Sequence, residues 1–327
     1  MKKHKICKIL LVILAIFLCV AFYELLGICV AYKKQPEVSN TTKKETKNGS
    51  WNECSENTER AVIIEKNPEA LLQRVRLIKN AKKEIILSTF AFQSDESGKL
   101  ILGALHDAAD RGVHIRLLVD GMESWIDMEG NPYFYGLSSH ENVEIKLYNK
   151  ANPLKPWKMM GRMHDKYLIA DGKRYILGGR NTYNYFLGDF PGHKNYDRDV
   201  LVVCDEPEKE NSVNQLLEYF ETIWEQEDSD YFHDNKKLAN RKSVKNAVLE
   251  LQNGYQKYFE ENKERICDTD YTDETFETEK IALVSNPIHT GSKEPVVWYQ
   301  LGELMKNAKN RVKIHTPYII CDDMMYN

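Results

Sequence analysis

The chain has 327 residues, 42% of them hydrophobic, and a formal net charge of -4. That length holds one large core or two domains, and the slightly acidic balance excludes a global electrostatic pull toward nucleic acid. Cys7, Cys19 and Cys29 lie in or beside an apolar segment, while Cys54, Cys204, Cys267 and Cys321 are scattered with no CxxC spacing. Neither a disulfide framework nor a zinc site is therefore expected, and no metal or other cofactor is predicted.

Taken in chain order, the first element is Ile6 to Tyr32, apolar except for Lys8 and Glu24. It is long enough to span a bilayer. Lys2, Lys3, Lys5 and Lys8 precede or open it and favour an inside N-terminus; Lys33 and Lys34 weaken the contrast. No small-x-small cleavage site stands near its end, so residues 6–32 are expected to be a single-pass signal-anchor that holds an extracytoplasmic part at the cell membrane. Residues 33–60 are polar and read as a flexible linker. Folded structure is expected from Ala61. Asn67-Pro68-Glu69 is a helix start, with a capping residue and then proline. Ile85 to Phe92 is a strand, Leu100 to Arg111 a helix closed by Gly112, and Val113 to Asp120 the next strand. The pattern predicts an α/β fold, a mixed sheet flanked by helices. Asp120 to Lys158 is looser. Within Asn149 to Arg162, four basic residues are interleaved with Pro153, Pro156 and Trp157. That loop is either an ordinary solvated face or a contact for lipid or nucleic-acid phosphates.

The run from Met163 to Asn181 carries chemistry. As a pattern it is H-x-K-x4-D-x6-G-G-x-N, with His164, Lys166, Asp171, Gly178, Gly179 and Asn181. A phosphodiester is anionic and repels hydroxide. Without a metal, its cleavage needs a neutral nucleophile and fixed positive charge. An imidazole can attack phosphorus and later leave. A lysine ammonium and amide donors can hold the non-bridging oxygens. A carboxylate can fix the imidazole tautomer. If Met163 to Ala170 is a strand, His164 and Lys166 fall on one face, about 7 Å apart. Asp171-Gly172 is then a hairpin turn. The two glycines would let substrate approach the backbone, and Asn181 would offer its amide to a phosphate oxygen. The bland alternative is an ordinary hairpin with a buried His and a solvated Lys. Composition alone produces the whole pattern in roughly one chain in 10^5, which favours the site.

These residues resemble the HKD signature of the phospholipase D superfamily. Gly-Gly-Arg-Asn followed by Tyr183, Tyr185 and Phe186 resembles its bacterial cardiolipin synthase branch. The resemblance covers about residues 61–225, and faintly 281–327. It implies His164 as the phosphohistidine nucleophile, Lys166 and Asn181 as phosphate ligands, and Asp171 as the motif's own carboxylate. It further implies that Asp199 orients His164, with Asp197 as the alternative. In two-motif members both motifs build one site, where one His attacks and the other protonates the leaving oxygen.

Beyond the motif, Ser212 to Trp224 and Lys245 to Glu264 read as helices, and Cys267 to Glu279 as an exposed acidic link. Lys79 to Thr89 aligns with Lys306 to Thr316, with Ile85/Val312, Leu87/Ile314 and Thr89/Thr316 in register. Each copy reads as a helix end feeding a strand. The expected organisation is an anchor at 6–32, a linker at 33–60, a first phospholipase D-like domain at 61–235, a helical and acidic connector at 236–280, and the start of a second such domain at 281–327. Neither His289 nor His315 has a lysine two residues on. The chain is therefore expected to be a truncated or partial form with little activity by itself. His106 and His114 are expected to be structural, His140 lies in a loop, and His193 could line the site mouth. The expected function is a membrane-anchored phosphatidyltransferase or phospholipase acting on a phosphatidylglycerol-like lipid of the bilayer. The alternatives are a nuclease completed by homodimerisation, which anchor and charge disfavour, and an inactive remnant.

Overall fold

The computed structural model describes residues 2–49, 59–207, 211–233, 235–314 and 316. Cys54, His315, Cys321 and the end of the second domain start expected at 281–327, residues 317–327, lie outside the described residues. Helix α1 (Lys2–Tyr32) contains a 28-residue apolar stretch, Lys5–Tyr32, within which an 18-residue window has mean hydropathy 2.9 and no buried residue. The expected linker is in part a helix, α2 (Asn40–Lys47). Ser39 caps it by accepting from the Thr42 amide, and the Ser39 amide itself donates to Glu294 at 2.9 Å. Polarity alone hid this capped turn.

The body is a nine-stranded mixed sheet. Its strands are β1 (Arg60–Ile64), β2 (Glu84–Thr89), β3 (His114–Asp120), β4 (Val143–Tyr148), β5 (Tyr167–Ala170), β6 (Arg174–Gly178), β7 (Asp199–Val203), β8 (Ser229–Tyr231) and β9 (Phe276–Glu277). The spatial order is β8-β4-β3-β2-β5-β6-β7-β1-β9. β2, β3 and β4 are parallel; the remaining pairs are antiparallel. The parallel crossovers are α4 (Glu96–Asp110) and the pair α5 (Gly121–Asp127) and α6 (Pro132–Ser138). Side chains alternate across each strand. Ile85, Leu87, Leu117, Leu168 and Ile176 face one core, together with α3 (Asn67–Asn80), α4 and α6. Ile86, Leu118, Ile169 and Tyr175 face the other, beneath α7 (Ser212–Trp224).

Several expectations need correction. Asn67 does not cap α3. It donates to the Asn195 carbonyl and accepts from Arg180, while Lys66 holds the cap position. The stretch read as loose contains α5, α6 and β4. The helix expected at 245–264 is α8 (Lys242–Glu261), followed by α9 (Lys263–Cys267). It is no connector, because Val244, Leu251, Tyr255 and Phe259 complete the first core. The acidic link is pinned as well. Fully buried Arg76 donates to the Asp268 and Asp270 carbonyls, pairs with Glu274 at 3.0 Å and stacks over Tyr271. β9 then adds an edge strand beside β1. Toward the C-terminus, α10 (Val296–Lys306) matches the helix of the repeat, but residues 307–314 form no strand.

Candidate active site

The carboxyl ends of β2, β3 and β6 and the amino ends of β5 and β7 meet along one edge of the sheet. The register sets this: Ser88 opposes Tyr167, Tyr167 opposes Leu177, and Gly178 opposes Asp199. His164, Asp165 and Lys166 cross that edge just before β5 begins. They do not lie on the strand, as the apolar run had implied. Pairing with β2 stops at Ser88, and the Met163 amide bonds instead to the Asp120 Oδ2, at 3.0 Å.

His164 is exposed, and its ring meets Phe90 edge-on at 4.6 Å between centroids. Burial of part of the ring and the neighbouring Lys166 charge pull its pKa below the ordinary imidazole value, against Asp165. The Lys166 side chain is buried. Its Nζ donates to the His164 carbonyl at 2.6 Å and lies 5.2 Å from the Phe90 ring centre. Burial pulls the ammonium down to about 8, although Asp165, Asp197 and Asp120 favour the charge. Tyr219 of α7 donates to Asp165 at 2.7 Å. Burial, with the Asp165 charge, holds this hydroxyl far above the usual phenol range, so it remains a neutral donor. These groups open onto a cleft of about 360 Å³ lined by His164, Lys166, Gly178, Tyr219, Ser285 and Asn286. Arg162 and Lys293 add positive charge to the same cleft. Among the described residues, no group of three or more His, Cys, Asp or Glu is placed to hold a metal ion. A neutral imidazole beside a desolvated ammonium is a nucleophile with an anion-holding partner.

The remaining predicted residues are placed differently. Asp171 lies at the opposite edge of the sheet. Its carboxylate accepts the amides of Lys82, Lys83 and Glu84 at 2.7 to 3.0 Å, locking the hairpin turn onto the start of β2. The turn itself follows the sequence signal, with φ of 54° at Asp171 and 62° at Gly172. Asp199 does not orient His164. It is fully buried between Arg74 at 2.9 Å and Arg180 at 3.2 Å. The two glycines answer to this crowding more than to substrate. A Cβ at Gly178 would stand 2.0 Å from Asp199 Oδ1, and one at Gly179 2.0 Å from Asp197 Oδ2. Asn181 is buried, its Oδ1 accepting from the Ala91 amide at 3.2 Å. Its amide nitrogen donates no hydrogen bond to the described residues, but Asn181 does not line the cleft. His106 pairs with Asp110, His114 with Glu144, and His140 with Asp110. His193 packs on Tyr185, outside the cleft lining.

Sequence reading missed Asp120, Phe90 and Tyr219. Each reaches the motif from a distant strand or helix, and only the strand-end aspartate left a local trace, as the polar terminus of an apolar run.

Comparison with known proteins adds a family. Residues 74–224 match the model described as cardiolipin synthase, PLD-like domain. An uncharacterised protein of Helicobacter pylori strain J99 is 30% identical over 212 residues, covering 60% of this chain and 39% of that protein. Cardiolipin synthase C of Escherichia coli K12 is 29% identical over 171 residues, covering 48% of this chain and 34% of the relative. The chain thus spans well under half the length of these two relatives. In structure, NucT from Helicobacter pylori aligns with a TM-score of 0.42 and 17% identity, covering 53% of this chain and 99% of that one. Motif and matched sequence agree, and residues 74–224 place the chain in the phospholipase D superfamily.

Proposed function

We propose that the chain carries a phosphatidyltransferase or phospholipase site of the cardiolipin-synthase type, anchored in a membrane by α1. The observation that carries the reading is the pairing of an exposed imidazole, its pKa lowered, with the desolvated Lys166 ammonium in one cleft. The loop leading into His164 touches α1: Tyr23 donates to the Leu154 carbonyl at 3.1 Å. Tyr32 likewise donates to the Thr290 carbonyl at 2.7 Å. The family match to a cardiolipin synthase domain supports the same substrate class.

In this scheme a His164 ring nitrogen attacks the phosphorus of a phosphatidyl headgroup. The bond to the leaving alcohol breaks, and that oxygen takes a proton from a general acid. Lys166 holds a non-bridging oxygen, with Asn181 as the second candidate ligand. An acceptor hydroxyl then attacks the phosphorus, gives its proton to the same acid–base group, and frees the imidazole. A second histidine, from another motif or another copy of the chain, serves as that acid–base group. General acid–base help of this kind is worth about 10²–10⁴-fold.

The test is the full chain reconstituted with labelled phosphatidylglycerol, with plasmid DNA as the competing substrate. Label appearing in a second lipid or in released phosphatidate, and lost in His164→Ala, supports the proposal. Cleavage of DNA without lipid turnover would assign the site to a nuclease; inactivity toward both would indicate a remnant.

A further inference from the structure

We propose that Trp125 and Ile126 of α5, with Leu154, Trp157 and Met160 of the loop before the motif, form a second membrane-contacting patch. It dips into the bilayer surface beside the exit of α1. The inference rests on the anchor reading and adds a surface to it. All five side chains are exposed: 69% and 67% for the α5 pair, and 76%, 46% and 57% for the loop residues. Such a group of large apolar residues on one surface calls for a partner. α5 and the loop adjoin, since Trp125 lines one cleft of about 470 Å³ with Lys150, Ala151 and Pro153, the residues just before Leu154.

The position of α1 identifies the partner. A hydrocarbon core of about 30 Å takes roughly 20 helical residues. The apolar stretch of α1 has 28. Counted from Ile9, just past the basic cluster, the helix leaves the core near Gly27 and Ile28. The loop meets α1 at this level. Tyr23 bonds to Leu154, and a Cβ at Gly27 would come within 2.5 Å of Pro156 Cγ, so the Pro156 ring packs directly against the helix backbone there. Leu154 and Trp157 are thereby held at the depth where tryptophan favours the boundary between water and lipid. Lys155, exposed between them and in no ion pair with the described residues, suits the headgroup level. The loop runs on to Arg162 and His164, so docking it on lipid would present the cleft to headgroups.

The full chain in vesicles of phosphatidylcholine and phosphatidylglycerol, with bromines on the upper acyl carbons, tests the patch through tryptophan quenching. α1 has no tryptophan, so the anchor itself is silent. The expected result is quenching that is mostly lost in the Trp125→Phe/Trp157→Phe double variant. It should fall in part in Gly27→Leu, which pushes the loop off the helix. Quenching unchanged in the double variant overturns the patch. So does a Trp125 and Trp157 signal open to aqueous iodide, or one shielded from both quenchers, which would indicate a protein partner. Alkaline carbonate extraction separates the two levels. Release of the chain removes the anchor reading, whereas retention with unquenched tryptophans removes only the patch.

Discussion

The Asp120 carboxylate, at the end of β3, accepts a hydrogen bond from the Met163 amide at 3.0 Å, one residue before His164. Its other oxygen caps α5 through the Met122 amide, and Arg162 lies 3.3 Å away. One buried side chain thus fixes the course of the segment that carries the nucleophile. In Asp120→Asn one of these acceptors becomes a donor and the partner of Arg162 is lost. We expect a loss of about 1–3 kcal/mol in chemical denaturation. Covalent labelling of His164 should also slow at temperatures where the variant is folded. Labelling at the wild-type rate would remove Asp120 from the site.

Asp199 should behave as a stability residue. Asp199→Ala leaves Arg74 and Arg180 buried without a counter-charge, a change that costs about 3–5 kcal/mol. Thermal unfolding measures it. A variant that melts like the wild type but no longer labels at His164 would restore the orienting role that family resemblance implied.

Asp171 separates motif from site in the same way. Removing its carboxylate in Asp171→Asn weakens the capture of the Lys82, Lys83 and Glu84 amides, while Asn still tolerates the left-handed backbone at φ 54°. The expected loss is about 1–3 kcal/mol, with vanadate binding at the cleft unchanged below the melting temperature. Abolished vanadate binding in a folded variant would contradict the placement.

Lys166 gives the pH dependence. Its ammonium titrates near 8 in the folded chain, against 10.5 for the ordinary group. The charged form is therefore the disfavoured one in the fold. Below pH 8 it costs stability, and that cost is relieved as pH rises from about 8 toward the unfolded value. Anion binding runs the other way, since it needs the ammonium: vanadate affinity should fall as pH rises through about 8. His164, with a lowered pKa, stays neutral to below the ordinary imidazole range, so both groups are in working form around neutrality. Lys166→Met should raise the melting temperature and eliminate vanadate binding, the trade of stability for function expected at a site. A lower melting temperature with binding intact would refute it.

The motif and the sheet were legible because each rests on local sequence. The Asp171-Gly172 turn, the helix at Ser212–Trp224 and the strands around β2 and β3 follow from spacing, alternation and turn chemistry, while His164 and Lys166 line one cleft from just ahead of the strand on which alternation had put them. What escaped depends on contacts distant in sequence. Nothing near Asp199 announces Arg74, so a buried ion pair was read as a catalytic partner. Nothing near Asp171 announces the amides of residues 82–84. The glycines were read as room for substrate because nothing near them announces Asp197 and Asp199 pressing against their backbone. The acidic stretch after Cys267 looked exposed because its partner, Arg76, lies on α3, far away in the chain.

The most direct test of the central claim is detection of the covalent intermediate. The full chain, reconstituted in vesicles with phosphatidylglycerol, is quenched during turnover and digested at alkaline pH, and its peptides are examined by mass spectrometry. The prediction is an acid-labile phosphatidyl adduct on His164, absent in His164→Asn. Lipid turnover that persists in His164→Asn, or an adduct on any other residue, would contradict it.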